Sequence, residues 1–577
     1  MNYSTYNYEY QKWLLSKHMT DAEKDELFSI VADDETKKFR FSSSMDFGTA
    51  GLRSTMYMGT ACMNRFTVAQ TTRGIAALVK EAGGEERGVA IAYDSRNHSE
   101  EFAKVSASVL ASEGIKVYIF NSLRPTPELS YAVRHFGALA GINITASHNP
   151  KEYNGYKAYW EDGAQINPDQ AKIVSAEREK FDVLDMKGTD FYDEGVETGL
   201  ITVLDESFDE YYLKAVMDTA INASLVSEAE DLKVVYTPLH GAGYKLVPEI
   251  FKRMGLKNLY TVESQMTPDG DFPTVEKPNP EYANVFTDGI KIANEVGSDL
   301  VIATDPDSDR VGVMARAKDG EFKTITGNQM GALLLDYVIA QKRALGTLKE
   351  NAFAVKSIVS SDMAYKIAEV QGVKLYDVYT GFKFIGEVIK DYEAKGEADA
   401  FLLGFEESYG YLLGSYARDK DAVEASMMIL EMTAYYKKNN MTLIDALDKL
   451  YETYGFYSER TIDIYMEGLD GIEKRKRVMQ TLRDSIPEQF GGVKVAEARD
   501  YKACEIKNLY DGTVVGTGLQ PSDVLYYVLE NEDKIIVRPS GTEPKIKIYL
   551  LAHADDKDAL STKIEAYASD AKSIAEV

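Results

Sequence analysis

Short apolar runs alternate with longer amphipathic stretches along most of the chain, and this alternation predicts parallel or mixed α/β sheets. Pairs of buried-type strands recur three times, and helical sequence separates the two strands of each pair. The pairs lie at 88–92 and 138–144, at 232–236 and 300–304, and at 353–359 and 400–404. In each pair the second strand ends in a polar loop. The pattern therefore predicts three α/β domains of similar topology, each contributing one loop.

The sequence after about residue 456 follows a different pattern. Strand-like runs at 534–537 and 545–551 flank a polar turn, and a helical stretch rich in small residues follows at 556–575. We expect a smaller α+β domain here, and the length of 577 residues agrees with several domains. The expected boundaries around a central cleft are 1–208 for domain 1, 209–323 for domain 2, 324–455 for domain 3 and 456–577 for domain 4.

Charge and composition narrow the class of protein. The hydrophobic fraction of 45% is ordinary for a globular protein, and the net charge is −27. An acidic balance of this size argues against nucleic acid or an anionic membrane as a partner, and no apolar run approaches membrane-spanning length. The first residues do not resemble a signal peptide, and Cys62 and Cys504 have no metal-binding spacing. We expect a cytoplasmic enzyme.

The polar loop after the second predicted strand is the most informative of the chain. A β-branched apolar run leads to Ser147 in a turn that ends at Asn149 and Pro150, with Lys157 shortly after. Strand ends in open α/β folds present side chains where ligands bind, so this hydroxyl can carry a transferred group. Because neighbouring residues of an extended segment point in opposite directions, we do not expect His148 to act as a base for Ser147.

Three carboxylates occupy alternate positions after the strand at 300–304. Asp305, Asp307 and Asp309 suit a hard divalent cation, which prefers several oxygen ligands. A calcium-binding EF-hand loop is excluded, because the positions that require Gly and Glu are Arg310 and Arg316. From the residues alone, a solvated acidic turn stays an equal alternative.

The turn at 538–544 carries groups that suit a phosphate. Arg538 offers a bidentate guanidinium fork, and turn amides near a glycine can form an anion nest. Ser540, Gly541 and Thr542 are the other candidate contacts. The alternative is an ordinary turn between two strands.

Two further loops contain candidate binding groups. Glu406 and Ser408, in the run 404–410, offer acceptors for sugar hydroxyls, although Ser408 could instead cap a helix. The glycine-rich run 47–53 suits a tight loop that places Arg53 near a phosphate, with a plain glycine turn as the alternative.

Together these runs resemble the signatures of the α-D-phosphohexomutases, in the family's order and across most of the chain. The matching runs are FGTAGLR at 47–53, TASHNP at 145–150 with NGYK at 154–157, DPDSDR at 305–310, TGFK at 380–383, GFEESYG at 404–410 and RPSGTEP at 538–544. Two positions depart from the family pattern. Ala50 stands where serine is usual, and Phe405 separates Gly from Glu in the sugar loop, which leaves that backbone path open.

The resemblance implies roles for individual residues. Ser147 is expected to carry the phosphoryl group, with Mg²⁺ held by Ser147, Asp305, Asp307 and Asp309. Lys157 is the expected general acid/base, with its pKa lowered by burial among cations. The remaining expected catalytic residues are His148, Arg53 and Lys420. The expected substrate contacts are Thr380, Gly381, Lys383, Glu406, Ser408, Arg310, Arg538, Ser540, Gly541 and Thr542.

The resemblance also implies an activity. The chain is most similar to the phosphoglucomutase branch, and the expected reaction interconverts glucose 1-phosphate and glucose 6-phosphate, with glucose 1,6-bisphosphate as intermediate and activator. Mannose or pentose phosphates on the same scaffold stay open, as does a serine-based sugar-phosphate phosphatase. A non-catalytic sensor is less favoured because the expected catalytic residues are all present. The sequence leaves monomer and homodimer open.

Overall fold

The computed structural model describes residues 5–45, 47–48, 51–466, 468–540 and 545–574. Three N-terminal helices, α1 (Thr5–Leu14), α2 (Asp21–Ser29) and α3 (Asp34–Phe41), precede the first sheet. Trp13 and Phe41 pack with Phe66 in the domain 1 core, so this helical segment is part of domain 1.

Domain 1 contains a six-stranded sheet. Its strands are β1 (Leu52–Thr55), β2 (Val89–Tyr93), β3 (Val117–Phe120), β4 (Ala140–Ile144), β5 (Tyr153–Trp160) and β6 (Ile201–Leu204), in the order β1-β5-β4-β2-β3-β6. Its further helices are α4 (Arg65–Glu81), α5 (Ser99–Ser112), α6 (Thr126–Phe136), α7 (Pro168–Arg178) and α8 (Tyr192–Glu197). Alternate residues of β2 enter different hydrophobic clusters, because successive side chains of a strand face opposite sides of the sheet.

Domain 2 contains a five-stranded sheet, which follows the linking helices α9 (Glu206–Met217) and α10 (Ser224–Glu228). The strands are β7 (Lys233–Thr237), β8 (Asn258–Thr261), β9 (Leu300–Thr304), β10 (Val311–Arg316) and β11 (Phe322–Ile325), in the order β11-β10-β9-β7-β8. The helices are α11 (Gly243–Arg253), α12 (Glu263–Met266) and α13 (Thr287–Val296), with a short 3-10 helix at Ala283–Phe286.

Domain 3 contains a four-stranded sheet. The strands are β12 (Phe353–Ser357), β13 (Lys374–Val378), β14 (Phe401–Glu406) and β15 (Gly410–Leu412), in the order β13-β12-β14-β15. The helices are α14 (Gly327–Ala344), α15 (Met363–Gln371), α16 (Phe382–Glu393), α17 (Ala422–Lys438) and α18 (Leu443–Tyr454), with a 3-10 turn at Ala398–Ala400. Helix α17 is almost wholly buried in one core shared by domains 2 and 3.

The three α/β sheets share one motif. In each, a central strand pairs in parallel with a strand on either side, and one of these flanking strands then pairs antiparallel with the strand that follows it in the chain. The antiparallel pairs are β4 with β5, β9 with β10, and β14 with β15. The prediction of three similar α/β domains with mixed sheets is confirmed.

Domain 4 is an antiparallel sheet with two helices, so the α+β prediction is also confirmed. Its strands are β16 (Phe456–Tyr465), β17 (Gln489–Phe490), β18 (Val493–Asp500), β19 (Glu505–Asn508), β20 (Val514–Gly516), β21 (Leu525–Leu529), β22 (Lys534–Pro539) and β23 (Lys545–Ala554). Its helices are α19 (Gly468–Asp484) and α20 (Lys557–Ser573). The boundary residues between domains stay a prediction.

Within the described ranges, no helix combines the length and the apolar character that crossing a membrane requires. Cys62 is buried and Cys504 is partly buried, and neither forms a disulfide.

Candidate active site

The site is built from three equivalent hairpin loops, one per α/β domain. Each loop joins the antiparallel strand pair of its sheet, and each contains a residue other than glycine with left-handed backbone. These residues are Ser147 (φ 51°), Ser308 (φ 51°) and Tyr409 (φ 65°). Left-handed backbone is uncommon for such residues and is retained only where the surroundings hold it. A left-handed residue other than glycine therefore recurs in the hairpin loop of each α/β domain.

Ser147 lies at the junction of domains 1 and 2. Its buried hydroxyl donates a hydrogen bond to Asp305 Oδ2 at 2.7 Å, across 158 residues of sequence. The same oxygen lies 3.1 Å from His148 Nδ1. The expectation that these two side chains point apart is wrong, because the left-handed backbone of Ser147 turns them together. Burial, reinforced by Arg310 and Arg53, holds the pKa of His148 well below its ordinary value, so the imidazole is neutral.

The aspartate triplet forms a compact and fully buried carboxylate group. One oxygen from each of Asp305, Asp307 and Asp309 lies within 4.8 Å of the others. Burial and the two neighbouring carboxylates raise the pKa of Asp305 well above its ordinary value. Among the described residues, the buried oxygens Oδ1 of Asp307 and Oδ1 of Asp309 have no hydrogen-bond partner. Buried carboxylate oxygens that lack hydrogen-bond partners can serve as ligands of a hard divalent cation, so the residues present suit the expected metal.

Lys157 is paired with this carboxylate group. Its Nζ donates to Asp307 Oδ2 at 2.7 Å and to Asp309 Oδ2 at 3.2 Å. Burial lowers the pKa of Lys157, but the charges of Asp307 and Asp309 together raise it by a larger amount. The net pKa of Lys157 therefore lies above its ordinary value. The expectation of a pKa lowered by neighbouring cations is therefore wrong for this structure, since Lys420 contributes less than the aspartates. Lys157 is held as an ammonium.

Lys420, which belongs to domain 3, also pairs with the aspartate triplet of domain 2. Its Nζ lies 2.8 Å from Asp419 Oδ1 and 3.2 Å from Asp309 Oδ2. Asp419 also accepts a hydrogen bond from Tyr159 of domain 1 at 2.9 Å. Burial lowers the pKa of Lys420, and the neighbouring carboxylates raise it to a net value above the ordinary one. The carboxylate triplet is thus flanked by two ammonium groups from different domains.

Arg53 and Arg310 flank the serine loop. Arg53 Nη1 donates to Asn149 Oδ1 at 2.7 Å, and Arg310 Nη1 donates to Glu281 Oε1 at 2.6 Å. Gly51 (φ 80°) makes the Arg53 strand possible, because a Cβ there would lie 1.9 Å from the carbonyl oxygen of Tyr156. Ala50, the departure from the family pattern, lies outside the described residues.

The domain 3 loop is tied to the TGFK turn. Glu406, at the end of β14, accepts a hydrogen bond from the Gly381 amide at 2.7 Å. Phe405 occupies an ordinary inward strand position and packs closely on Gly331 of α14, so it introduces no break in the backbone path. Burial raises the pKa of Glu406 despite the opposing charges of Lys420 and Arg310. The end of β14 therefore places the Glu406 carboxyl group within the electrostatic influence of Lys420 and Arg310.

The other predicted residues of domain 3 lie near this turn. Lys383 is buried in the first turn of α16, and burial lowers its pKa to about 8. Thr380 and Ser408 are half-buried, on the TGFK turn and in the β14–β15 hairpin respectively.

The domain 4 loop presents Arg538 from the end of β22. Its guanidinium donates to the Tyr549 hydroxyl at 2.9 Å and lies 5.6 Å from the centre of that ring. Burial lowers the pKa of Arg538, but Tyr549 and Glu407 raise it above its ordinary value. The Ser540 amide donates to the Lys545 carbonyl at 2.9 Å. Gly541 and Thr542 lie outside the described residues.

Thr126 and Asn143 contact the site although the sequence analysis did not select them. Thr126 donates from its amide and from its hydroxyl to Asp307, each at 2.8 Å, and Asn143 Nδ2 donates to the Thr126 hydroxyl at 2.6 Å. An amide side chain within the apolar strand β4 was the available signal for Asn143, because buried polar groups need partners.

Comparison with known proteins agrees with this architecture. Models of the phosphoglucomutase/phosphomannomutase α/β/α domains I, II and III match residues 44–182, 210–320 and 326–454. Phosphoglucomutase of Staphylococcus aureus strain N315 is 37% identical over 526 residues, covering 91% of this chain and 93% of that protein. Phosphoglucomutase of strain MRSA252 is 36% identical over 555 residues, covering 96% and 98%.

Solved structures show the same fold at lower identity. A putative phosphomannomutase from Thermus thermophilus has a TM-score of 0.67 at 21% identity and covers 92% of this chain and 99% of its own. The open form of the Paramecium phosphoprotein pp63/parafusin has a TM-score of 0.67 at 19% identity, covering 93% and 95%. With three matched domains and relatives above one-third identity over nearly the whole length, the chain belongs to the phosphoglucomutase/phosphomannomutase family.

Proposed function

We propose that this enzyme is a phosphoglucomutase that interconverts glucose 1-phosphate and glucose 6-phosphate by way of phosphorylated Ser147. The observation that carries the proposal is the hydrogen bond from Ser147 Oγ to Asp305, within a buried carboxylate triplet flanked by two ammonium groups. The identity to curated phosphoglucomutases over more than nine-tenths of the chain supports the substrate assignment.

The proposed reaction consists of two phosphoryl transfers. In the first, the bond between phosphorus and Ser147 Oγ breaks and Oγ takes up a proton, while a bond forms from phosphorus to O6 of glucose 1-phosphate and the O6 hydroxyl gives up its proton. The resulting glucose 1,6-bisphosphate turns round within the site. In the second transfer, the phosphate on O1 moves to Ser147 Oγ, the Ser147 hydroxyl gives up its proton, O1 takes up a proton, and glucose 6-phosphate leaves.

The buried charges suit this chemistry, in which catalysis is mostly positioning and electrostatic stabilisation. Asp305, Asp307 and Asp309 would hold Mg²⁺ with an oxygen of phosphorylated Ser147, and the bound ion would neutralise charge on the transferring group. Lys157 is the candidate general acid/base. Its raised pKa keeps it an ammonium, so it would supply the proton that the oxygen leaving phosphorus takes up and would then accept the proton of the attacking hydroxyl.

The other predicted contacts would orient the sugar phosphate. Glu406 and Ser408 would bind sugar hydroxyls, and Thr380, Gly381 and Lys383 border them on the TGFK turn. Arg538 with Ser540, Gly541 and Thr542 would hold the phosphate that is not reacting. Arg53 and Arg310 supply positive charge beside His148, and both lie next to the serine loop.

A direct assay tests the proposal. The protein is mixed with glucose 1-phosphate, Mg²⁺ and a trace of glucose 1,6-bisphosphate, and glucose 6-phosphate is measured in a coupled assay. Mannose, ribose and deoxyribose 1-phosphates are compared by kcat/KM. Preference for one of these sugars would overturn the glucose assignment, and inorganic phosphate released without isomerised product would indicate a phosphatase.

A further inference from the structure

We propose that Asp94 and Arg96, at the end of β2, form a clamp that holds the Ser147 loop in its strained conformation and thereby positions Oγ for phosphoryl transfer. Both side chains are buried, and neither belongs to the carboxylate triplet or to the sugar and phosphate loops. The inference rests on the proposed mutase function and adds two positioning residues to it.

Arg96 holds the loop from one side through main-chain carbonyls. Its Nη2 donates to the carbonyl oxygen of Ser147 at 2.5 Å and to that of Asn149, and its Nη1 donates to those of Pro150 at 2.8 Å and Tyr153 at 3.0 Å. One guanidinium therefore satisfies four carbonyl groups of a single turn. A planar fork of this kind fixes geometry in a way that a lysine ammonium cannot reproduce.

Asp94 holds the loop from the other side through Thr145. Asp94 Oδ2 accepts a hydrogen bond from the Thr145 hydroxyl at 2.6 Å, and this hydroxyl accepts one from the Ser147 amide at 2.8 Å. Asp94 also lies 3.3 Å from Arg96 Nε, so the two halves of the clamp are paired with each other. The hydrogen bonds thus fix the backbone both before and after Ser147.

A contact from domain 2 covers the clamp. The Arg96 guanidinium lies 5.1 Å from the ring of Phe272, a buried residue with φ 45°. The neighbouring Gly270 approaches the Asn97 backbone so closely that a Cβ would lie 2.4 Å from the Asn97 amide nitrogen. These contacts connect the clamp to the domain that supplies the aspartates.

The strain at Ser147 explains why a clamp is needed. A left-handed serine returns readily to more common backbone angles, and this return would separate Oγ from Asp305 and His148. A displacement of about 1 Å at a reacting atom costs about 10²-fold in rate. Loss of the clamp should therefore slow transfer while the sugar and distal phosphate loops still bind substrate.

The test compares two buried arginines of domain 1. Arg96→Lys removes the fork, and Arg73→Lys is the matched control, because Arg73 also donates to main-chain carbonyls, those of Asp185 at 2.7 Å and Lys187 at 2.8 Å, outside the site. For each variant we would measure Tm, kcat, and the Kd of glucose 1-phosphate by calorimetry on the unphosphorylated protein. Arg96→Lys should lower kcat by about 10²-fold with Kd within about threefold, and Arg73→Lys should lower Tm alone.

Thr145 provides a second test if Arg96→Lys does not fold. Thr145→Val removes the link between Asp94 and the Ser147 amide, and Thr145→Ser keeps it. We expect kcat to fall by about 10-fold to 10²-fold for the valine variant and to stay within about threefold for the serine variant. Equal kcat in this pair, or an Arg96→Lys enzyme no slower than Arg73→Lys, would overturn the clamp. A wild-type protein without mutase activity would instead refute the proposed function.

Discussion

The end of the site that contains Ser147 and the end that contains Arg538 are built in different ways. Around Ser147, domain 1 contacts the domain 2 aspartates through Ser147, Lys157 and Thr126, and domain 3 joins them through Lys420. Arg538 is held within its own domain by the Tyr549 hydroxyl. The proposed reacting end is thus assembled from three domains, whereas Arg538, the proposed contact of the distal phosphate, is held within one domain.

The difference between the two ends indicates which groups the proposed reaction must hold in fixed positions. A transferring phosphoryl group needs its donor, its acceptor and the surrounding charges fixed together, so their mutual hydrogen bonds cross domain boundaries. In the proposed reaction, the distal phosphate is bound in two orientations of the intermediate in turn. An arginine presented by a separate domain suits this demand. Domain 4 contacts domain 3 through apolar residues, through the Lys534–Asp362 and Lys557–Asp448 ion pairs, and through the hydrogen bond from the Tyr379 hydroxyl to the Gln520 carbonyl.

The substitution with the largest predicted effect removes Ser147, the proposed carrier of the phosphoryl group. Ser147→Ala should lower kcat by at least about 10³-fold, because no covalent relay remains. Intact-mass analysis should show a phosphate on the wild-type protein that this variant lacks. Ser106→Ala, which removes a buried hydroxyl of α5 that donates to the Phe102 carbonyl, is the control and should retain phosphate and activity. A phosphate mapped to another residue would refute the assignment of Ser147.

The second prediction is that a substitution in the carboxylate triplet lowers activity without lowering stability. Asp305→Asn should lower kcat by about 10²-fold or more, because a ligand for the cation and a partner of Ser147 are lost. Its raised pKa means that the Asp305 charge is unfavourable in the metal-free fold, so Tm without Mg²⁺ should stay unchanged or rise. Thermal melting with and without Mg²⁺ tests this, since the ion should raise Tm for wild type more than for the variant.

Asp319→Asn, in an exposed turn of the same domain, is the control for this change and should behave as wild type. A metal-free Asp305→Asn protein that melts well below wild type would show that the triplet is organised for folding and not for a cation.

The third prediction concerns the distal end. Arg538→Ala should raise KM and lower kcat together, by about 10-fold to 10²-fold in kcat/KM, because a loosely held distal phosphate also misplaces the reacting end. The intermediate should escape, so added glucose 1,6-bisphosphate should restore part of the activity. Arg499→Ala, which removes another domain 4 arginine stacked on a tyrosine, should have little effect. Unchanged constants for Arg538→Ala would place the distal phosphate elsewhere.

The smallest predicted effect is a pH dependence from Lys383. Burial lowers its pKa to about 8, so the ammonium is present below pH 8 and is lost as the pH rises through that value. A phosphate with a second pKa of about 6 stays a dianion over this range. KM should therefore rise by about threefold to 10-fold between pH 7 and pH 9, and Lys383→Arg, which stays charged, should flatten the profile. A wild-type KM that is flat to pH 9 would contradict a role for this charge.

The sequence predicted what is local and left open what depends on backbone angles or distant partners. The strands before Ser147 and Asp305 could be predicted because apolar runs end in polar loops, and the carboxylate spacing is local. The contact of His148 with Ser147 could not, because it depends on one left-handed residue. The raised pKa of Lys157 could not either, since its partner Asp307 lies 150 residues away in sequence.

The most direct test follows one phosphate through a single turnover. Protein labelled with ³²P on Ser147 is mixed with unlabelled glucose 1-phosphate and Mg²⁺, and the quenched products are separated. The account predicts label first in glucose 1,6-bisphosphate and then in glucose 6-phosphate, with unlabelled phosphate left on Ser147. Label that passes only to inorganic phosphate, or that stays on the protein while glucose 6-phosphate forms, would contradict it.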